Sequence, residues 1–317
     1  MCAELTFGKP MLNLKQGLRG TLRQNEPMAK HVSWRAGGMA EQVYVPADVA
    51  DLGVYLSGLP KDMPVYCVGL GSNLLVRDGG VCGAVILLHG ALREISLENK
   101  SEVSGFIYAD AGVAAPKLAR FAAGHDLVGA EFMAGIPGTV GGALAMNAGC
   151  YGSETWEIAV RALTIDRRGT LHKRERNEYA LSYRHVELIE KTEEWFLGAW
   201  FELSVGDGKA SKQVIKELLQ RRITSQPLGQ PNAGSVFRNP EGDHAARLIE
   251  SCDLKGRQLG GAQVSPKHAN FIVNVGNATA ADIEDLINLV EATVEEKCGV
   301  ALQREVRVIG ERARGNA

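Results

Sequence analysis

Short apolar runs separated by glycine-rich turns dominate the chain up to about residue 206. Their length and their content of β-branched and aromatic residues are typical of strands. Helical signals are few in this region: Asp48 is placed to cap a short helix, and Pro116 followed by Gly124 marks the two ends of another. The pattern therefore predicts an α+β region dominated by strands. The predicted strands are residues 42–45, 65–68, 84–88, 106–109, 162–165 and 195–203.

Helical periodicity becomes stronger in the rest of the chain. Residues 211–223 place five apolar side chains on one helical stripe. Another helix is predicted to begin after Thr279, because Asp282 completes a capping box, and to end before Gly299. Residues 300–309 alternate apolar and polar side chains, which predicts a half-buried strand. The stripe on residues 211–223 consists of Val214, Ile215, Leu218, Leu219 and Ile223.

The length and composition narrow the class of protein. A chain of 317 residues is long enough for two domains, and the change of pattern places them at residues 1–206 and 207–317. The 35 basic and 37 acidic residues give a formal net charge of −2, which provides no long-range attraction to nucleic acid or anionic lipid. Small molecules are therefore the expected partners, and no obligate protein partner is evident.

No stretch of the sequence is apolar enough for a membrane helix, and the N-terminal segment lacks the apolar region of a signal peptide. The six cysteines contain no C-x-x-C pair and are expected to be reduced thiols. The seven histidines show no metal-ligand spacing, so no metal site is predicted. These features together predict a cytoplasmic protein that binds no membrane.

Two glycine-rich loops carry the clearest signal of a ligand. They are residues 69–73, with two glycines, and residues 135–142, with four. Glycine lacks a Cβ, so backbone N–H groups in such loops can approach a phosphorylated cofactor closely. Leu74 occupies the place of the third glycine in a dinucleotide-binding fingerprint, and no helix is predicted after it. Taken alone, residues 69–73 are as consistent with a tight turn as with a phosphate loop.

Six blocks in the same order together resemble the UDP-N-acetylenolpyruvoylglucosamine reductase family. Each block alone is weak evidence, but the ordered set covers the chain from about residue 28 to residue 310. The blocks are Trp34-Arg-Ala-Gly-Gly38, Gly69-Leu-Gly-Ser-Asn73, Gly135-Ile-Pro-Gly-Thr-Val-Gly-Gly-Ala-Leu-Ala-Met-Asn-Ala-Gly149, Tyr183-Arg184, Gly234-Ser-Val-Phe-Arg-Asn-Pro240 and Gln303-Arg-Glu305.

The resemblance implies an FAD-binding module of the vanillyl-alcohol-oxidase (PCMH) type with two subdomains, roughly residues 1–90 and 91–206. A C-terminal α+β substrate-binding domain would follow. In several oxidases of this type a histidine after a Gly-Gly pair bonds the flavin, but here that residue is Met39, so FAD should be held noncovalently. The residues implied to bind FAD are Gly69, Leu70, Gly71, Ser72, Asn73, Gly135, Ile136, Pro137, Gly138, Thr139, Gly141, Gly142, Asn147, Gly149 and Arg184.

The resemblance also implies an NADPH-dependent reduction of the enolpyruvyl group of a UDP-sugar, a step in peptidoglycan precursor synthesis. Arg184 would bind the substrate carboxylate, Glu305 would stabilise the charge that develops beside it, and Ser235 would deliver a proton. Read from pattern alone, Glu305 is more often a solvated strand residue and Ser235 is commonly a turn or cap residue, whereas Arg184 is as consistent with a structural ion pair as with a ligand contact. The residues implied to bind the nucleotide part of the substrate are Asn239, Lys267, His268 and Asn270.

One form of the family carries an extra loop with a substrate-binding tyrosine and a folded insert. Few residues separate Tyr183 from the predicted helix at residues 211–223, so we expect the form that lacks both. Two other functions stay open at this point. One is an oxidase on the same flavin fold, and the other is a nucleotide-binding protein without redox chemistry.

Overall fold

The computed structural model describes residues 17–313, which form two compact units. The first unit contains Glu41–Gly69 and Cys82–Lys212 together with the described residues before Glu26. The second unit contains Glu26–Ala40, Leu70–Val81 and the described residues from Gln213 onwards. Two short segments of the N-terminal half thus cluster with the C-terminal part of the chain. The assignment of cofactor and substrate binding to residues 1–206 and 207–317 stays a prediction.

The predicted helices are confirmed, and capping residues mark the start of the first helix and both ends of the last one. Asp48 accepts a hydrogen bond from the Asp51 amide at 2.9 Å, Thr279 and Asp282 cap each other reciprocally, and Gly299 ends the last helix with φ 68°. The α-helices of the described residues are α1 Val49–Ser57, α2 Ala115–Gly124, α3 Val140–Met146, α4 Thr155–Ile158, α5 Gly208–Ser225, α6 Ala245–Ser251 and α7 Ala280–Cys298.

All six predicted strands of the N-terminal region are confirmed, mostly with longer bounds. The strands of the described residues are β1 Thr21–Pro27, β2 Met39–Val45, β3 Val65–Val68, β4 Leu74–Val76, β5 Val81–Leu87, β6 Ile95–Lys100, β7 Ser104–Asp110, β8 Leu127–Val128, β9 Gly149–Cys150, β10 Ser153–Glu154, β11 Ala159–Asp166, β12 Leu171–Glu175, β13 Tyr179–Ser182, β14 His185–Leu188, β15 Glu194–Val205, β16 Gln258–Leu259, β17 Ala262–Val264, β18 Ile272–Asn274 and β19 Arg307–Ile309.

The first unit is built on two sheets. One has the strand order β1-β2-β5-β3, and its β3 and β5 run parallel. The other has the order β12-β11-β15-β7-β6, with β8 added on β15. Apolar side chains of α1 pack with those of both sheets in one buried cluster, where the Tyr44 and Tyr55 rings stack at 4.0 Å. This α+β arrangement confirms the predicted fold class.

The second unit has its core around α7. This helix buries the apolar stripe predicted from its periodicity, and the cluster includes Trp34 and Phe237. The Trp34 Nε1 donates to the Ile272 carbonyl at 2.8 Å. Strands β16, β17 and β18 form a small antiparallel sheet, and β4 pairs with β19 in parallel, with Leu74 opposite Arg307. The buried stripe of α7 consists of Ile283, Leu286, Ile287, Val290 and Val294.

Three expectations were wrong in part. Only Arg307–Ile309 of the strand predicted over residues 300–309 is strand. On α5 only Ile215 of the predicted stripe is fully buried, whereas Val214 and Ile223 are 42% and 55% exposed. Cys82 is disulfide-bonded, so the expectation that all six cysteines are reduced fails there.

None of the helices in the described range is both long and apolar enough to cross a bilayer.

Candidate active site

The two glycine-rich segments approach each other in the first unit through Gly69 and Thr139. A Cβ built on Gly69 would lie 2.4 Å from the Thr139 Oγ1, so only glycine fits this contact. Thr139 is itself buried, and it caps α3 by accepting a hydrogen bond from the Gly142 amide at 3.4 Å. The first loop is therefore fixed against the residue that begins α3.

The backbone of residues 138–141 is held by a neighbouring extended segment. The Ala115 amide donates to the Gly138 carbonyl at 3.0 Å, and the Val140 amide donates to the Val113 carbonyl at 2.8 Å. The Gly141 amide donates to the Ala111 carbonyl at 2.9 Å, so this amide has a partner within the protein, and cofactor binding by Gly141 stays a prediction. A Cβ at Gly141 would lie 2.8 Å from the Ala111 Cβ. Close packing against Ala111 therefore explains why this position is a glycine.

Other amides of the same loops have no protein acceptor among the residues that the structure describes. They belong to Gly138 and Thr139 in the first unit and to residues 70–73 in the second. Buried backbone N–H groups are nearly always paired, so the amides of the buried residues Gly71, Gly138 and Thr139 are candidate donors for a ligand. Among the predicted loop residues, Gly71, Ile136, Gly138, Thr139 and Asn147 are buried, Leu70, Pro137 and Gly142 are exposed, and Gly69, Ser72, Asn73, Gly135, Gly141 and Gly149 are half-buried.

Arg184 lies at the turn between β13 and β14, in a left-handed conformation with φ 56°. Its guanidinium donates to the Gly149 carbonyl at 2.7 Å and to the Asn147 carbonyl at 3.3 Å, and it lies over the Tyr183 ring at 4.8 Å. A positive φ is unusual for arginine and is maintained here by these contacts. Arg184 therefore holds the end of the second glycine-rich segment while it carries a positive charge into the first unit.

Asn147 uses its side chain inside the first unit. Its Nδ2 donates to Glu154 at 2.7 Å, and its Oδ1 accepts a hydrogen bond from the Trp156 amide at 3.1 Å. The residue has φ 41° and ends α3. These bonds explain why an asparagine follows this helix, because a left-handed conformation and side-chain bonds to nearby backbone both favour asparagine.

In the second unit the segments that carry Ser235 and Glu305 pair with each other. The Glu305 amide donates to the Val236 carbonyl at 2.8 Å, and the Arg238 amide donates to the Gln303 carbonyl at 2.8 Å. Asn73 joins the same group, because its Nδ2 donates to the Glu305 carbonyl at 3.0 Å. The structure thus brings together the backbone of the segments that carry Ser235 and Glu305 and the side-chain amide of Asn73, which come from three distant parts of the sequence. Ser235 and Glu305 are both half-buried.

Asn270 fixes the segment that follows Ser235. Its Oδ1 accepts a hydrogen bond from the Phe237 amide at 3.0 Å, and its Nδ2 donates to the Phe237 carbonyl at 2.8 Å. The Val236 amide donates to the Asn270 carbonyl at 2.9 Å. Asn270 is 4% exposed, so these bonds are sheltered from water. Its side-chain amide therefore supports the backbone of Phe237, and a substrate contact of Asn270 stays a prediction.

We expect Asn270→Ala to destabilise the second unit by about 2–4 kcal/mol, because it leaves two buried backbone groups of Phe237 without partners. Urea unfolding followed by circular dichroism measures this difference. Asn239→Ala is the matched control: Asn239 is exposed and accepts only the Ala245 amide at 3.2 Å. Equal unfolding midpoints for the two variants would show that Asn270 does not hold this segment.

The remaining substrate candidates lie on exposed or half-buried positions of the second unit. The Lys267 Nζ donates to the Ile223 carbonyl at 2.6 Å. His268 packs edge-on against the Phe271 ring at 4.7 Å, and its burial lowers the pKa of the imidazole below its ordinary value. His268 is therefore neutral near pH 7 and offers a hydrogen bond and no charge. Substrate roles for Asn239, Lys267 and His268 stay predictions.

Sequence reasoning missed Arg304, the neighbour of Glu305. Its guanidinium makes two hydrogen bonds of 2.6 Å to Glu291 and one of 2.7 Å to Asn288, both on α7. The hydrogen bond with Glu291 is the main cause of a raised pKa for Arg304. This bidentate pair fixes the backbone beside Glu305 to the core helix. The only sequence signal of this pair is the acidic residue at position 291 of the predicted helix, and it does not identify Arg304 as its partner.

Within the described range, no group of three or more His, Cys, Asp or Glu side chains is arranged to hold a metal ion. The candidate residues described above offer hydroxyl, carboxyl, guanidinium and backbone amide groups. Such groups can bind phosphates and a carboxylate and can deliver a proton.

Comparison with known proteins gives consistent results for both halves of the chain. The family model described as FAD binding domain matches residues 40–174. The model described as UDP-N-acetylenolpyruvoylglucosamine reductase, C-terminal domain, matches residues 226–309.

Similar proteins of known name cover nearly the whole chain. The UDP-N-acetylenolpyruvoylglucosamine reductase of Thiobacillus denitrificans is 61% identical over 93% of this chain and 94% of its own length. That of Nitrosomonas eutropha is 58% identical over 93% of this chain and 90% of its own length. The crystal structure of UDP-N-acetylenolpyruvylglucosamine reductase from Thermus caldophilus superposes with a TM-score of 0.76 at 28% identity, covering 92% of this chain and 99% of that one.

Proposed function

The chain belongs to the UDP-N-acetylenolpyruvoylglucosamine reductase family, and from this premise we propose how its residues divide the reaction. The enzyme is an FAD-dependent oxidoreductase that reduces the enolpyruvyl group of UDP-N-acetylglucosamine enolpyruvate, giving UDP-N-acetylmuramate for peptidoglycan synthesis. The observation that carries this function is the 61% identity over 93% of the chain. We propose NADPH as the source of electrons and the cytoplasm, where sugar nucleotides are made, as the place of the reaction.

Residues of the first unit fit FAD. The amides of Gly138 and Thr139 suit the oxygens of its pyrophosphate, and they stand in a loop where glycine allows close approach. Met39 cannot form the covalent bond that a histidine forms in related oxidases, so we propose noncovalent binding. When bound, FAD passes a hydride from NADPH to the alkene of the substrate.

Arg184 is proposed to bind the carboxylate of the enolpyruvyl group. Its planar guanidinium suits a carboxylate, and the bonds to the carbonyls of Asn147 and Gly149 fix its orientation before the substrate arrives. Addition of hydride to the alkene places negative charge on the adjacent carbon and on this carboxylate. A fixed positive charge stabilises that state more than it stabilises the neutral alkene.

Ser235 is proposed to deliver the proton, and Glu305 to stabilise the enolate through a shared proton. A hydroxyl is a weak acid, but an enolate carbon is basic enough to take its proton when the geometry is fixed. The pairing of Val236 with Glu305 and the bonds from Asn270 support this proposal, because they hold the backbone of the two segments that carry these residues.

For the nucleotide part we propose Lys267 for the diphosphate and Asn239 and His268 as hydrogen-bonding groups. The Lys267 ammonium and the Asn239 amide are on exposed residues of the second unit. Between Tyr183 and α5 the chain forms β14, β15 and short connections, and no folded insert interrupts it. This supports the form of the family without the tyrosine loop.

The visible spectrum of the purified enzyme tests the proposed function. We expect a yellow protein whose flavin absorbance is bleached by NADPH without oxygen and restored by the enolpyruvyl sugar nucleotide. Denaturation followed by filtration should release the flavin, since no covalent bond holds it.

UDP-N-acetylglucosamine, which lacks the alkene, is the matched control and should leave the flavin reduced. Reoxidation by oxygen with no reaction of the enolpyruvyl compound would indicate an oxidase instead. A protein that stays colourless when FAD is supplied would indicate a binding protein without redox chemistry.

A further inference from the structure

The second unit brings two thiols together at the ends of two helices. Cys252 follows α6, and Cys298 is the last residue of α7. Their sulfur atoms lie 3.5 Å apart, although 46 residues separate them in the sequence. Both are free thiols. A close approach of two sulfur atoms is a necessary condition for a disulfide.

The geometry leaves a small gap to close. A disulfide bond is about 2.05 Å long, so the sulfurs need to approach each other by roughly 1.5 Å. Both cysteines stand at helix ends, and Gly299 follows Cys298 in the left-handed conformation. A helix end can adjust by a fraction of an ångström at less cost than the middle of a helix, because its last carbonyls have no partners within the helix.

The two thiols differ in their access to solvent. Cys252 is 2% exposed and belongs to the core cluster, whereas Cys298 is half-buried and packs against that cluster from outside. Burial, followed by the contact with Cys298, raises the pKa of the Cys252 thiol. The Lys297 ammonium donates to the Cys252 carbonyl at 3.3 Å, so a positive charge lies beside the pair. Cys298 is therefore the thiol that an oxidant can reach first.

We infer that Cys252 and Cys298 form a site of reversible oxidation for low-molecular-weight disulfides such as oxidised glutathione. The inference rests on the sulfur contact and does not depend on the proposed function. The Cys298 thiolate attacks one sulfur of oxidised glutathione, forms a mixed disulfide and releases one molecule of glutathione as thiolate. The Cys252 thiol then loses its proton and attacks the Cys298 sulfur, which releases the second glutathione. Two protons and two electrons leave the cysteines, and oxidised glutathione takes up both.

Peptide mapping by mass spectrometry tests this site. Trypsin cuts after Arg247, Lys255, Lys297 and Arg304, so the two cysteines fall in separate peptides, residues 248–255 and 298–304. The full-length enzyme is treated with oxidised glutathione, its remaining thiols are blocked with N-ethylmaleimide, and it is then denatured and digested. We expect the two peptides to be joined, with a loss of about 2 Da for the two hydrogens, and to separate after dithiothreitol.

Two serine variants show the order of attack. In Cys252→Ser the mixed disulfide has no partner to resolve it, so glutathione should remain on peptide 298–304. In Cys298→Ser no adduct should form on peptide 248–255, because Cys252 is buried. Cys150→Ser is the matched control and should give the same joined peptides as the unchanged enzyme. Unjoined peptides in the unchanged enzyme, or a stable glutathione adduct on both of its peptides, would overturn the inference.

Discussion

Ser235→Ala should slow the reoxidation of the reduced enzyme by the enolpyruvyl sugar nucleotide by about 10³-fold, a loss typical of a missing proton donor. Reduction by NADPH should keep nearly its full rate, because no proton from Ser235 is needed in that half-reaction. Stopped-flow absorbance of the flavin measures the two half-reactions separately. The bonds that hold this segment come from the backbone of Val236 and Phe237 and from Asn270, so the substitution should leave the fold intact.

Ser225→Ala is the matched control, because Ser225 is an exposed serine at the end of α5 whose hydroxyl donates to the Arg221 carbonyl at 2.8 Å. It should react like the unchanged enzyme in both half-reactions. If Ser235→Ala slows both half-reactions by the same factor, Ser235 has a general structural role. The proton donor would then have to be sought elsewhere.

Elements with strong local signals could be predicted from the sequence. In α7 the reciprocal caps of Thr279 and Asp282, the apolar stripe and the left-handed Gly299 all agree with one another. Each of these signals depends on residues at most four positions apart, so tertiary context is not needed to recognise it. The same holds for α1, which begins at the cap Asp48.

Two segments show where local signals fail. Over residues 300–309 the alternation correctly indicated that Leu302 and Val306 are buried and that Gln303 is exposed. The alternation could not indicate which residues pair with a neighbouring strand, because pairing depends on the partner. The partner is β4, and it pairs with only three of these residues. The segment of residues 135–149 resembles a loop because glycine disfavours helices, yet it contains α3, capped by Thr139.

The sequence predicted which residues belong to the candidate site, but it did not predict which protein groups their side chains contact. Asn73 was assigned to the cofactor, and the structure shows that its Nδ2 holds the carbonyl of Glu305, 232 positions later. Asn270 was assigned to the substrate, and its amide holds Phe237. An asparagine has the same hydrogen-bonding groups in both roles, so residue type alone cannot distinguish a ligand contact from a support for the neighbouring backbone.

Glu305→Gln should slow the reoxidation by the enolpyruvyl sugar nucleotide by about 10²-fold, because an amide of the same shape cannot share a proton with the developing enolate. Reduction by NADPH should stay unchanged, because that half-reaction involves no enolate. The contacts with Val236 and Asn73 use the backbone of Glu305, which the substitution does not alter. Gln303→Ala, on an exposed neighbour, is the matched control.

If Glu305→Gln is reoxidised at the unchanged rate, Glu305 is a solvated residue of its segment and takes no part in the reaction.

If the reaction is slower, the double variant with Ser235→Ala shows whether Glu305 and Ser235 act on the same step. If Ser235 and Glu305 act on the same developing charge, the double variant should lose much less than the product of the two single losses, since residues that act as a unit are strongly non-additive. Losses that multiply would mean that the two residues act in separate steps, and Glu305 would then stabilise a state in which Ser235 takes no part.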